Sequence, residues 1–161
     1  MAATPLSSST GFADTATNSS NGSSMLAVWR LHGIDQLLLQ AVDAGTILYG
    51  SSAGGICWFD SGITDSLGFD GHLRPLTNGL GLLAGSHSPH FDEQQRRSRF
   101  EAMIRDSLLP EGVGIDEYAA VHFVDGELHE TVSADGVATA HIVQRDVDGA
   151  VRTQALTALK L

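Results

Sequence analysis

Cysteine and lysine are nearly absent from this sequence. Its 161 residues include one cysteine, Cys57, so no internal disulfide can form and a disulfide-stabilised secreted scaffold is excluded. Lys160 is the single lysine, and nine basic residues stand against 19 acidic ones, for a formal net charge of −10. Because phosphate binding depends on clustered Lys and Arg, this balance argues against nucleic acid as a partner.

Long apolar runs are also missing, although 42% of the residues are apolar. No stretch of the sequence is long and apolar enough to cross a bilayer, which argues against a membrane partner. The length suits one domain with its own hydrophobic core. We therefore expect a soluble, globular, cytoplasmic protein, and the sequence leaves its oligomeric state open.

The first 24 residues differ in composition from the rest of the chain. Ser, Thr, Ala, Asn and Gly dominate there, and Leu6 and Phe12 are nearly the only bulky apolar residues. Such a segment buries too little apolar area to offset its ordering entropy, so residues 1–24 are predicted to be a disordered tail. A targeting signal is the alternative, but a secretory signal requires an apolar run and a transit peptide requires arginines, the first of which is Arg30. The folded domain is expected to be 25–161.

The order of apolar and turn-forming segments predicts an α/β domain. A helix in two pieces leads to a short run of β-formers and then to a glycine-rich turn. Farther on, four strands are joined by Asp-Gly pairs, which favour hairpins. The predicted helices are 25–44, interrupted at Gly33, and 93–108; the predicted strands are 46–49, 80–83, 119–124, 127–132, 137–143 and 151–156, with a turn-rich stretch over 56–71. We expect an α/β unit followed by a C-terminal antiparallel β meander.

The glycine-rich turn Gly50-Ser51-Ser52-Ala53-Gly54 fits the G-x-S-x-G pattern of a nucleophile elbow. In such an elbow the serine lies on a sharp turn from strand to helix, and the glycines let neighbouring backbone pass close to it. The N–H groups that follow the serine point towards a developing oxyanion. A plain glycine-rich loop explains the five residues equally well, and the predicted strand before and helix after favour the elbow.

A serine nucleophile requires a base, and His90 is the strongest candidate among seven histidines. It follows a short apolar strand and Pro89, and it precedes a helix. Because the carboxyl ends of the strands in a doubly wound sheet meet at one crevice, a histidine after one strand can face a serine after another. His87 is the nearest competitor, although it lies farther from the start of the helix.

Several blocks of the sequence together are more specific than the elbow alone. They are residues 48–59, which include the elbow, then Thr64-Asp65-Ser66, 79–83, Ser88-Pro89-His90-Phe91-Asp92, Gly114-Ile115-Asp116-Glu117 and the Asp125-Gly126 turn. In order and spacing these blocks resemble the peptidase E (aspartyl dipeptidase) family of serine peptidases, over roughly residue 25 to the C-terminus. The resemblance implies a flavodoxin-like sheet of the class-I glutamine amidotransferase type, and an enzyme that releases N-terminal aspartate from small peptides.

The resemblance also implies a Ser–His–acid site. No group of His, Cys and carboxylate residues in the sequence has the spacing of a structural zinc site, so we expect no metal and no other cofactor. By position, Ser52 is the nucleophile, His90 the general base and the Ala53 N–H an oxyanion donor. The acid that orients the imidazole is Asp65 or Glu117, which spacing does not separate. The related cyanophycinases, which also cleave aspartyl bonds, share the Ser-Ala-Gly elbow and are an alternative.

Recognition of an aspartyl side chain requires a cation near the nucleophile. Arg96 and Arg99 lie on the helix after His90, three residues apart and therefore on one face, and they align approximately with basic positions of the family. Arginine binds a carboxylate through two parallel hydrogen bonds, so both are candidates for substrate binding. An ordinary solvated helix face is the alternative interpretation.

The sequence departs from the family before Met25. The family has several parallel strands there, followed by a Gly-Gly-Asn loop that donates the second oxyanion N–H, whereas this sequence has Ser, Asn and Gly over 19–24. The predicted strand 46–49 is apolar on both faces and requires a neighbour on each edge. We therefore expect a sheet that is incomplete on its N-terminal side. The alternative function is a catalytically impaired homologue, either a non-enzymatic remnant or a fragment that depends on a partner.

Overall fold

The computed structural model of the protein describes residues 22–67 and 71–161. These residues form α1 (Gly22–His32), α2 (Ile34–Asp43), α3 (Ala53–Ile56), β1 (Phe59–Thr64), β2 (Arg74–Leu76), β3 (Leu83–Pro89), α4 (Gln94–Arg105), β4 (Gly112–Ile115), β5 (Ala119–Val124), β6 (Glu127–Ser133), β7 (Ala140–Arg145), β8 (Val151–Ala155) and β9 (Ala158–Lys160). The predicted disordered tail lies outside the described residues, except that 22–24 form the first turn of α1. Among the described helices, none combines the length and the apolar character that a membrane span requires.

The larger sheet has six strands in the order β2-β1-β3-β4-β7-β8. Its centre is parallel: β3 pairs in parallel with β1 on one side and with β4 on the other, and Pro89 lies opposite Ile115. β2 pairs antiparallel with β1 at one edge, β7 pairs antiparallel with β4 on the other side, and β8 pairs antiparallel with β7. Because parallel strands end at the same edge, the segments that follow β1, β3 and β4 lie together, and these segments carry Asp65, His90 and Glu117.

The four predicted C-terminal strands are all present, divided between two sheets. β5 and β6 form an antiparallel hairpin in a small sheet that β9 joins in parallel to β6. β7 and β8 form the second antiparallel hairpin, which extends the larger sheet. The predicted α/β class with C-terminal antiparallel strands is thus confirmed.

Helix α4 packs on the larger sheet through residues spaced three and four apart. Phe100, Met103 and Ile104 are buried and contact Phe91 and Ile63 in one cluster. This i, i+3, i+4 spacing is the apolar stripe that predicts an amphipathic helix, and the predicted helix 93–108 contains α4. Because Phe91 comes directly after His90, this packing holds the candidate base at a fixed place above the sheet.

The prediction of a strand over 46–49 is wrong, because these residues pair with no strand in the described part of the chain. Residues 46–50 follow α2 without regular secondary structure and without a strand partner among the described residues, and Ile47 and Tyr49 are 89% and 73% exposed. Its apolar composition is that of a strand buried between two neighbours, and no neighbouring strand in the described part of the chain covers it.

The predicted strand 80–83 is also misplaced, since β3 begins at Leu83 and continues through polar residues to Pro89. Ser86, His87 and Ser88 are buried there. Ser86 Oγ donates to the carbonyl of Pro110 at 2.6 Å, and His87 Nδ1 donates to the carbonyl of Val113 at 3.0 Å. These bonds offset the cost of burying polar side chains in a central strand. β1, which contains Asp60, Ser61 and Gly62, lies within the stretch predicted to be turn-rich.

Candidate active site

Ser52 lies on a strained turn immediately before α3. Its backbone has φ 50° and ψ −122°, a combination that non-glycine residues rarely adopt and that costs on the order of 1–3 kcal/mol. A Cβ on Gly50 would lie 2.5 Å from the carbonyl oxygen of Gly54 and 2.5 Å from Nε1 of Trp58, so the turn accepts only glycine there. This is the close backbone approach that the G-x-S-x-G pattern requires.

His90 follows β3 and has a second strained backbone, with φ 51°. Its Nε2 lies 2.9 Å from Oγ of Ser52, within hydrogen-bond distance. The N–H of Phe91 donates to the carbonyl of Ile115 at 2.9 Å and so ties the turn after His90 to the end of β4. The structure therefore brings together the two residues predicted as nucleophile and base, from turns 38 positions apart in the chain.

The backbone N–H of Ala53 is a free donor beside the serine. Ala53 is the first residue of α3, and its N–H takes part in none of the backbone hydrogen bonds among the described residues. The next two N–H groups, of Gly54 and Gly55, donate instead to the carbonyls of Ser51 and Ser52 at 2.9 Å each. Ala53 N–H thus remains available for an acceptor that arrives at Ser52.

A cavity of about 220 Å³ opens at the hydrogen-bonded pair of Ser52 and His90. It combines two hydroxyls, an imidazole, one cationic and two anionic side chains with four apolar residues. The lining residues are Ser52, Ala53, Ile56, Ile63, Thr64, Asp65, Pro89, His90, Glu93 and Arg96. This is the kind of concave site, with a few convergent polar groups, in which a small ligand binds.

Arg96 is the cation of this cavity, and its side chain is only 12% exposed. Its Nη2 lies 3.4 Å from Oδ2 of Asp65, and its Nε lies 3.5 Å from Oε2 of Glu93. Both distances are longer than the roughly 2.8 Å of a strong charge-assisted hydrogen bond. Nε itself is buried without a hydrogen-bond partner among the described residues. The guanidinium of this cavity residue therefore keeps unused donor capacity.

The other predicted site residues lie outside the cavity. Arg99 is exposed and lines a separate concavity with His72 and Gln95, because three residues along a helix advance about 4.5 Å and turn the side chain by about 60°. Glu117 is exposed at the end of β4, where its N–H donates to Oδ1 of Asp92 at 2.8 Å. No hydrogen bond in the described part of the chain joins His90 to a carboxylate, so the acid of the predicted triad stays a prediction.

Asp116, the residue before Glu117, is bound to other groups. Its carboxylate lies 3.1 Å from Nε2 of His141 and accepts the N–H of Thr139 at 3.0 Å. Both Asp116 and His141 are 13% exposed. This pair joins the end of β4 to β7 and so supports the turn that carries Glu117.

His87, the competing histidine, is a structural residue of β3. It is 3% exposed, it stacks on Phe59 at 5.1 Å between ring centroids, and its Nδ1 donates to the carbonyl of Val113. Burial lowers the pKa of His87 to about 4, with the neighbouring charges of His90 and Arg96 acting in the same direction against the Val113 hydrogen bond. His87 is therefore neutral at physiological pH.

This burial predicts an acid-dependent loss of stability. His87 has a pKa of 6.5 in the unfolded chain and about 4 in the folded one, so the unfolded state binds more protons between these values. The free energy of unfolding then falls as the pH drops from about 6.5 to 4, by about 3 kcal/mol in total. Urea unfolding at pH 7.0 and pH 4.5 measures this, and His87→Gln should remove most of this fall. The exposed His129→Gln variant is the control and should behave as the wild type; an unchanged pH dependence in His87→Gln would contradict the assignment.

Glu93 is a charged residue of the cavity that was not predicted from the sequence. It immediately precedes α4, three residues before Arg96 and three after His90, and its side chain is 60% exposed. The sequence does contain a signal for Glu93, because residues at i and i+3 are neighbours on a helix face and Glu93 is three residues before Arg96. Only the position of β3 beside the start of α4 shows that this face borders Ser52.

Comparison with known proteins identifies the family of the chain. The sequence profile of peptidase family S51 matches residues 20–131. An uncharacterized peptidase, YgaJ, of Bacillus subtilis (strain 168) is 40% identical over 126 residues, which cover 76% of this chain and 52% of that protein. The chain thus spans about half the length of this relative. These matches confirm the family predicted from the sequence blocks, and the chain belongs to peptidase family S51.

Proposed function

We propose that the protein is a serine peptidase that hydrolyses small peptides with an N-terminal aspartate. The observation that supports this most strongly is the 2.9 Å contact between Ser52 Oγ and His90 Nε2. Both residues have a positive φ, at 50° and 51°, and both line the same cavity. Strain of this kind persists only where the surrounding structure enforces it, and it concentrates at functional sites.

The geometry supports a two-step acyl transfer. His90 Nε2 accepts the proton of Ser52 as Oγ attacks the carbonyl carbon of the scissile peptide bond. The carbonyl oxygen becomes an oxyanion, to which Ala53 N–H donates a hydrogen bond. Protonated His90 then gives its proton to the leaving amine, and the acyl-enzyme forms. In the second step His90 takes a proton from water, whose oxygen attacks the ester carbonyl carbon. The bond from that carbon to Ser52 Oγ then breaks, His90 returns the proton to Oγ, and the acyl group leaves as a carboxylic acid.

Glu117 is the better candidate for the acid of this site. Nε2 of His90 is used by Ser52, so the acid must reach Nδ1 on the other side of the ring. Asp65 is already paired with Arg96. Glu117 lies two residues beyond Ile115, which pairs with Pro89, so it follows the strand next to that of His90. It enters no ion pair within the described residues, and its backbone is fixed through Asp92.

Arg96 is the proposed receptor for the substrate's side-chain carboxylate. Its partly buried guanidinium has an unpaired Nε and only long contacts to Asp65 and Glu93. A carboxylate bound by two short hydrogen bonds would satisfy this donor. In an N-terminal aspartyl residue this carboxylate lies only a few bonds from the scissile peptide bond. Both groups can therefore enter the one small cavity that Ser52 and Arg96 line.

Hydrolysis of Asp-Leu and Ala-Leu by the purified chain tests this function. We expect a preference for Asp-Leu, and Arg96→Gln should lower kcat/KM for Asp-Leu by about 100-fold, because a buried charge pair is lost, while Ala-Leu is little affected. Arg99→Gln is the matched control, since Arg99 lies on the same helix outside the cavity. If the folded wild type cleaves no aspartyl peptide faster than a Ser52→Ala variant, the proposed activity is wrong.

An impaired or partner-dependent homologue is the second candidate, and one observation favours it. Ile47 and Tyr49 expose large apolar side chains in the segment just before the elbow, and α2 has no buried residue. A surface of this kind is typical of a site that another polypeptide covers. The same assay separates the two candidates: a chain that unfolds cooperatively and cleaves Asp-Leu favours the peptidase, and an inactive chain that aggregates favours the second.

A further inference from the structure

We propose that Glu93 binds the α-ammonium group of the substrate and so restricts hydrolysis to the N-terminal residue. This inference rests on the proposed peptidase function and assigns a specificity residue to its site. Glu93 lines the cavity with Ser52 and His90, and its carboxylate lies 3.5 Å from Nε of Arg96. The cavity therefore offers an anion beside its cation.

An N-terminal aspartyl residue carries the complementary pair of charges. Its α-carbon bears the ammonium group, the side chain that ends in a carboxylate, and the carbonyl that is attacked. A site that selects this residue requires a nucleophile, a cation and an anion around one small volume. The cavity of about 220 Å³ has Ser52, Arg96 and two carboxylates on its walls.

Glu93 is better suited to the ammonium than Asp65. Nη2 of Arg96 donates a hydrogen bond to the Asp65 carboxylate at 3.4 Å. Nε of Arg96 makes no hydrogen bond to the Glu93 carboxylate. The Glu93 side chain is also the more exposed, at 60% against 38% for Asp65. A substrate carboxylate that accepts a hydrogen bond from Nε of Arg96 therefore displaces the Glu93 carboxylate rather than that of Asp65. The displaced carboxylate remains next to the bound residue, where the ammonium is the nearest cation.

Paired substrates with a free and an acetylated N-terminus test this assignment. We would measure kcat and KM for Asp-Leu and N-acetyl-Asp-Leu with the wild type and with Glu93→Gln. We expect the wild type to prefer the free peptide, and Glu93→Gln to raise KM for it by about 10- to 100-fold, as for loss of a hydrogen bond between charged groups. The acetylated peptide should show no loss. Glu93→Asp should recover part of the preference.

Two further variants serve as controls. One tests whether loss of any negative charge has the same effect, and the other tests whether loss of the other carboxylate paired with Arg96 has it. Glu127→Gln removes the same charge at the start of β6, in the other sheet, and should keep the wild-type preference. Asp65→Asn should weaken both peptides alike, because both carry the aspartyl carboxylate. If Glu93→Gln keeps the preference, or if Asp65→Asn is the variant that loses it, the assignment is wrong.

Calorimetric binding of both peptides to Ser52→Ala separates this inference from the proposed function. Tighter binding of Asp-Leu than of N-acetyl-Asp-Leu, lost on adding Glu93→Gln, supports the role of Glu93. Hydrolysis of Asp-Leu by the wild type with equal binding of the two peptides overturns the inference and leaves the peptidase function standing. Absence of both hydrolysis and binding overturns the two together.

Discussion

Replacement of Ser52 by alanine is expected to lower kcat for Asp-Leu by on the order of 10⁶-fold, with the fold retained. The hydroxyl is the group that His90 Nε2 contacts at 2.9 Å, and among the described residues no other nucleophile lines the cavity with comparable access to a base. Thr64 also lies on the wall, but its Oγ1 is bonded to Ser66 at 2.7 Å. Steady-state hydrolysis and circular dichroism of the variant measure the two parts of this prediction.

Ser51→Ala is the matched control for this experiment. Ser51 is exposed and precedes Ser52 in the same turn, and its backbone carbonyl, which accepts the N–H of Gly54, is unchanged by the substitution. His90→Ala should cost about as much as Ser52→Ala, and the double variant little more, because the two residues act as one unit. A Ser52→Ala enzyme within tenfold of the wild type, or additive losses in the double variant, would contradict the role of this pair.

Replacement of Glu117 by glutamine is expected to lower kcat by about 10⁴-fold with little change in KM. An amide in place of the carboxylate no longer stabilises the imidazolium and favours the wrong tautomer of the histidine. Asp65→Asn should leave kcat within about tenfold and raise KM, because Asp65 contacts Arg96 and not His90. Steady-state kinetics of the two variants with Asp-Leu separate these roles.

The two substitutions are matched, since each replaces one carboxylate by its amide at the end of a parallel strand. Their different effects would follow from position: β3 lies between β1, which precedes Asp65, and β4, which precedes Glu117. A large loss of kcat in Asp65→Asn together with a nearly normal Glu117→Gln would identify Asp65 as the acid and contradict the assignment proposed above.

The candidate site was more predictable from the sequence than the sheet around it. The elbow and His90 could be found because their local patterns carry the chemistry: glycines where backbone passes close to Ser52, and a histidine between a strand and a helix. The strands that position them are harder to find, because β3 contains buried Ser86 and His87, whose side chains donate to the carbonyls of Pro110, just before β4, and of Val113, in β4. Apolar periodicity does not encode such bonds.

The wrong prediction of a strand over 46–49 also has its cause in strand pairing. The run Thr-Ile-Leu-Tyr has the composition of a buried strand, but a strand exists only with a partner, and Ile47 is 89% exposed in the described structure. The positions of Arg96 and Arg99 relative to the cavity likewise depend on tertiary packing. Arg96 and Arg99 share a helix face in the sequence pattern, and only the packing of α4 places Arg96 in the cavity and Arg99 outside it.

The most direct test of Ser52 as an activated nucleophile is covalent labelling with a fluorophosphonate, followed by peptide mass spectrometry. We predict one adduct per chain, located on Ser52, with labelling abolished in Ser52→Ala and slowed strongly in His90→Ala, because the hydroxyl reacts only when Nε2 can accept its proton. The Ser51→Ala variant should label at the wild-type rate. A folded wild type that remains unlabelled, or that reacts at another serine, would contradict Ser52 and His90 as the catalytic pair.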